Sequence, residues 1–149
     1  MNRDEMIIKA IPILEKVGIV KEDEKKNNQK YILKSFRSQI SSFGAAVEMG
    51  SLLSAVAFFS KKGGSDTDRQ LLMRAIYLLI INDTETKIDA KSEQSELLLF
   101  VIEHRNEPEL KKNIIDAAVA LKLAMNAYEL RDKDDKPKVE ESKDDNEES

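Results

Sequence analysis

His104, the only histidine, stands between Glu103 and Arg105 in a helical stretch that turns those neighbours to other faces. No Ser/His/Asp or His/Asp arrangement for nucleophilic catalysis is therefore assembled around it, and it reads as a helix-end histidine. One histidine and no cysteine leave no two-histidine metal site, thiolate ligand, cysteine nucleophile or disulfide framework within this chain. Asp83, Glu85 and Asp89 lack the ligand ladder and turn glycine of a calcium loop. Gly63-Gly64-Ser65 follows Lys61-Lys62, the reverse of the order in a phosphate loop, and reads as a helix stop. Glu93 and Glu96 sit on a polar face with no pocket to raise one pKa, so they read as solvated surface. A noncatalytic chain without metal or cofactor is the expectation.

The charged residues point instead to phosphate. The formal net charge of -4 sums two unlike parts. From Asp132 to Ser149 nine acids face four lysines, with Val139 the single apolar residue, whereas Lys25 to Arg74 hold nine bases and three acids. Lys26, Lys30, Lys34 and Arg37 are spaced four, four and three, which places them along one side of a helix beside the apolar stripe Leu33, Phe36, Ile40 and Phe43. Lys61, Lys62, Arg69 and Arg74 extend the basic zone, and these eight are the candidate contacts to an RNA backbone. A lysine stripe serves solubility as readily, and Tyr31 suits base stacking or rim packing equally. The acidic segment 132–149 cannot bury enough apolar surface to order itself and reads as a disordered tail, either solubilising or a brake on nonspecific RNA binding.

The elements that must hold these residues read as all-α, a single bundle of about six helices over residues 1–131. With 41% apolar side chains, 5% aromatics, five glycines and three prolines, the composition favours helix over a sandwich or barrel. Helix one runs from Asp4 to Val20, kinked by Pro12 and ended by Gly18. Lys21 to Gln29 is a polar connector to helix two, which bends at Gly44 into a third helix, Ala45 to Phe59. Ser65 and Asp68 suggest a capping box opening helix four. Leu97, Leu98, Val101 and Ile102 mark helix five, and Asn106-Glu107-Pro108-Glu109 launches helix six. There Ile114, Ala118, Leu121, Met125 and Tyr128 form a seam suited to packing along another helix, which leaves open a protein-only adaptor. The longest apolar runs, Ile76 to Ile81 and Leu97 to Ile102, fall far short of the roughly 18 residues of a membrane span. Acids at Asp4 and Glu5 stand where a secretory signal carries bases, so a cytoplasmic chain without membrane contact is expected.

The run Phe43-Gly44-Ala45-Ala46-Val47-Glu48-Met49-Gly50-Ser51-Leu52-Leu53-Ser54-Ala55-Val56-Ala57-Phe58-Phe59-Ser60-Lys61-Lys62-Gly63 resembles the small, all-helical fifth subunit of the Cmr complex, the type III-B CRISPR effector. Tyr31, Gly50 to Leu52, Ala55 to Phe58 and Lys61 to Gly63 match that family's Tyr-led helix, Gly-Leu step, Ala-Leu-Ala-Phe-like run and closing Lys and Gly. The likeness spans about residues 28 to 131. Ser51 intervenes between Gly50 and Leu52, and Ala120-Leu121-Lys122-Leu123-Ala124 replaces the aromatic and basic residues near the family's final helix. The resemblance implies a noncatalytic antiviral subunit whose partners are other Cmr subunits, neighbouring copies of itself, guide RNA and target RNA. Ala46, Gly50 and Ser54 recur every four residues and would admit a close helix. Gly50, Ser54, Leu121 and Met125 are the candidate protein-interface residues.

Overall fold

A computed structural model describes residues 2–61, 67–82 and 95–132. The first helix, α1 (Arg3–Lys16), begins at a reciprocal cap: Asn2 Oδ1 accepts from Glu5 N–H at 2.8 Å, and Glu5 Oε1 accepts from Asn2 N–H at 3.3 Å. Met6, Ala10, Ile13 and Leu14 turn inward at helical spacing, while Pro12 lies on the exposed side. The helix stops four residues before Val20. Gly18 takes φ +90°, a conformation that only glycine adopts without strain, and the Gly18 and Ile19 N–H groups return to the Glu15 and Leu14 carbonyls. That turn drops Ile19 into the core.

The connector is not featureless. Strands β1 (Lys21–Asp23) and β2 (Gln29–Leu33) pair antiparallel, and β3 (Glu129–Arg131) adds parallel to β2, giving the order β1-β2-β3. The all-α expectation is corrected to a mostly helical fold with one small sheet. Asn27 and Asn28, both at φ 58°, turn the hairpin, because asparagine tolerates the left-handed region better than other side chains. Asp23 fastens the turn by accepting from Lys25 N–H at 3.0 Å and Asn28 N–H at 2.9 Å, through its carboxylate and carbonyl respectively.

Helix α2 (Lys34–Met49) runs unbroken through Gly44, and the division falls instead at Gly50-Ser51, where the Ser51 hydroxyl accepts from Ser54 N–H and opens α3 (Leu52–Phe59). The stripe Ala46, Gly50 and Ser54 therefore spans a helix break and makes no continuous ridge. Helices α4 (Thr67–Ile81), α5 (Glu96–Glu103) and α6 (Leu110–Ala124) complete the set. The predicted launch at Asn106 is a turn, with Glu107 N–H bonded to the His104 carbonyl, and α6 starts at Leu110 without a side-chain cap. Ser65 of the predicted capping box, Lys62, the acids Asp83, Glu85, Asp89 and Glu93, and the tail from Lys133 onward lie outside the described residues.

Helix α6 is the axis of the core, packed against α1, α2 and α4. Ala117, Ala118, Ala120 and Ala124 are buried and let those helices approach closely, while Ile114, Leu121 and Met125 are each fully buried. The seam proposed for an outside partner is thus occupied by the chain itself, and Leu121 and Met125 are core residues. Among the described residues, no helix is long and apolar enough to cross a membrane.

At the end of β3, Asp132 Oδ2 lies 3.5 Å from Lys34 Nζ with both side chains more than half exposed. Such a pair contributes at most about 1 kcal/mol. Truncation after Arg131 is expected to shift the thermal midpoint by no more than about 5 °C in a scan followed by circular dichroism.

Candidate nucleic-acid interface

Because β2 hands over to α2 at Lys34, the four bases predicted to share one helix face sit on three elements. Lys26 closes the 3-10 turn Glu24–Lys26, Lys30 is in β2, and Lys34 and Arg37 occupy the start of α2. Lys30 Nζ lies 3.1 Å from Glu15 Oε2, and Arg37 donates to Asn126 Oδ1 beyond the end of α6. The single-face stripe is corrected to bases distributed over a turn, a strand and the first turn of a helix. Lys30 and Lys34 are 45% and 54% exposed and Lys26 is exposed, while Arg37 is half-buried. Helix α2 begins without a side-chain cap and without an acid of its own in the first turn, and carboxylates from other elements stand there instead, Asp132 beside Lys34 and Asp68 on Ser35.

The second group of bases is carried to α2 by α4. Ser35 donates to Asp68 Oδ2 at 2.6 Å, and Arg69 Nε donates to Gln39 Oε1 at 3.1 Å. Beyond that contact the Arg69 guanidinium covers the rings of Phe58 and Phe59 at 5.0 and 5.3 Å, and Gln70 Nε2 donates to the Lys61 carbonyl. Lys61 and Arg69 thus meet at the C-terminal end of α3, with Lys61 exposed and Arg74 half-buried further along α4. Of the eight predicted contacts, Lys26, Lys30, Lys34 and Arg37 lie on the hairpin and the first turn of α2, Lys61 and Arg69 stand at the end of α3, and Arg74 is further along α4, which packs on α2. Gln39 carried no signal in the sequence, and Asp68, which reads there as a capping acid, accepts from Ser35 of α2.

Tyr31 is half-buried in β2, with a guanidinium over its ring. The Arg131 guanidinium lies 4.3 Å from its ring centroid and 2.9 Å from both Asp23 Oδ2 and Glu129 Oε1. One side chain thereby ties all three strands. The bond from Arg131 holds the Asp23 carboxyl below its usual range. Nothing in the sequence pairs these residues, since Asp23 and Arg131 meet only through the parallel addition of β3. Of the proposed protein-interface residues, Gly50 and Ser54 are exposed on either side of the break between α2 and α3.

Tyr128 makes a second tie, donating to Glu15 Oε2 at 2.6 Å on the same carboxylate that meets Lys30. Burial, followed by that bond, pushes the phenol up to about 12. Bonds from Tyr128 and then Lys30 lower the Glu15 carboxyl. A phenol whose folded value lies above its ordinary value of 10.0 favours the fold fully below pH 10 and loses that contribution as pH rises toward 12. Stability is expected to fall across this window in a pH series of urea unfolding curves, and Tyr128→Phe should flatten the fall. His104 Nδ1 lies 2.6 Å from Glu107 Oε2 beside the ring of Phe100, as a helix-end histidine. Among the described residues, no three of His, Cys, Asp and Glu gather as a metal site. Comparison with protein-family models, curated proteins and solved structures gives no match.

Proposed function

We propose that the chain is a cytoplasmic, noncatalytic small subunit of a type III-B CRISPR (Cmr) effector complex, lying along guide RNA and target RNA and meeting their backbone through its basic side chains. The observation that carries the reading is the exposure of Lys26, Lys30 and Lys34 along the hairpin and into the start of α2, with Arg37 in the first turn of that helix, on the same chain as the Phe43 to Gly63 run. Phosphate contact needs only positive charge held at a helix or strand surface, with no base readout, and suits a subunit that must accept any guide sequence. The partners in this reading are the larger Cmr subunits, neighbouring copies and the two RNAs.

The protein-only adaptor loses its argument because the Ile114 to Tyr128 seam packs into the chain's own core. The test is copurification of the tagged full chain from its native cells, with proteins and RNA identified in the same eluate. Larger partner proteins together with guide-length RNA are the expected result. Protein partners without RNA would overturn the RNA reading.

A further inference from the structure

Helix α3 has the residues of an interior helix and the position of a surface one. From Met49 to Ser60 the sequence holds no charged side chain, and a helix that is apolar all round is normally covered on every side. Here Ala55, Val56 and Phe59 face the core, while Leu53 and Phe58 stand 39% and 57% exposed and Ser54 and Ala57 are exposed between them. At 100° per residue these four outward positions fill an arc of about 140°. Met49 just before α3 is 88% exposed, and α5, packed beside α3, exposes Leu99 and Ile102 at 49% and 40%.

The order of side chains on this face identifies what fits it. Leu53, Ser54, Ala57 and Phe58 read large, small, small, large, and the pattern is symmetric about the middle of the helix. A two-fold axis through that point lays one α3 antiparallel on another. Leu53 of each copy then meets Phe58 of the other, and Ser54 and Ala57 at the centre allow the backbones to close. An isologous contact demands a patch that complements itself in this way. Charge agrees: Glu48 precedes the apolar run and Lys61 follows it, both exposed, so antiparallel pairing brings opposite charges toward each end.

We propose that the exposed face of α3 is a self-association surface that pairs two copies of this chain across a two-fold axis. The pairing closes at two copies and needs no RNA, and it adjoins the candidate phosphate contacts at one end, where Arg69 covers the Phe58 ring and Lys61 follows α3. Sedimentation velocity of the full chain over a range of concentrations should show a monomer–dimer equilibrium. Phe58→Glu should weaken it by about a hundredfold, as expected for a charge set against Leu53 of the other copy, with helicity unchanged. Ala57→Arg, at an exposed position that any helix former can occupy, should do the same and stands in if Phe58→Glu fails to fold. Because the chain has no cysteine, Ser54→Cys should give a disulfide-linked dimer under mild oxidation, whereas Ser38→Cys, exposed on α2, should not. A chain that stays monomeric at every concentration would overturn the proposal, including the case in which segment 83–94 or another protein covers the face. So would a dimer that survives Ala57→Arg.

Discussion

Leu121→Ala is expected to destabilise the protein by about 2–5 kcal/mol, the range for deleting a fully buried leucine. Leu121 is 0% exposed, on a helix enclosed by α1, α2 and α4, and buried Ile114 and Met125 lie one turn or two away on the same face. With α6 held on three sides, the surrounding helices cannot collapse far into the space, which favours the upper half of that range. In urea the midpoint should fall while the denaturant slope stays constant, because the surface exposed on unfolding scarcely changes. Leu123, two residues on and 40% exposed, is the internal control: Leu123→Ala should cost less than about 1 kcal/mol. If the seam met an outside partner, both substitutions would be mild in the isolated chain.

The same seam illustrates what periodicity can tell. Ile114, Ala118, Leu121 and Met125 were legible as one apolar face, and so were the inward faces of α1 and α2, because burial and helical spacing coincide there. Which surface covers a face is a tertiary fact, and the alternation of four and three suits a neighbour in the chain as well as a partner. The sheet was illegible for a different reason. Lys21–Asp23 and Glu129–Arg131 are short and charged, and within β2 only Ile32 is buried, so no alternation of period two emerges. Asn27-Asn28 was the one local mark of the turn. Missing the hairpin also misplaced the basic stripe, since Lys26 and Lys30 were spaced as though helical. Lys34 and Arg37, which do begin a helix, kept their relation. The break at Gly50-Ser51 was marked by a serine cap as well as a glycine, while Gly44 lies within a continuous helix.

The second large effect concerns RNA. Lys26→Glu, Lys34→Glu and Arg37→Glu together should weaken association of the assembled complex with RNA for every sequence alike. Lys30 is left in place because Glu15 and Tyr128 share its contact, and a carboxylate there would crowd Glu15 and disturb the fold. The three chosen side chains leave the buried positions Ile32, Phe36 and Ile40 untouched, so helicity should persist. The local charge changes by about six units, and attraction to each phosphate becomes repulsion. Unlike a lost base contact, the loss carries no sequence preference.

Each phosphate contact contributes roughly 0.7–0.9 to the slope of log affinity against log salt, so losing three should flatten that line by about 2–3. The decisive measurement is a salt titration of RNA binding by the complex assembled with wild-type or triply substituted chain, with helicity recorded in parallel. The account predicts the steeper line for wild type, with the two lines converging as salt rises. A folded triple variant that matches wild type in both affinity and slope would contradict it.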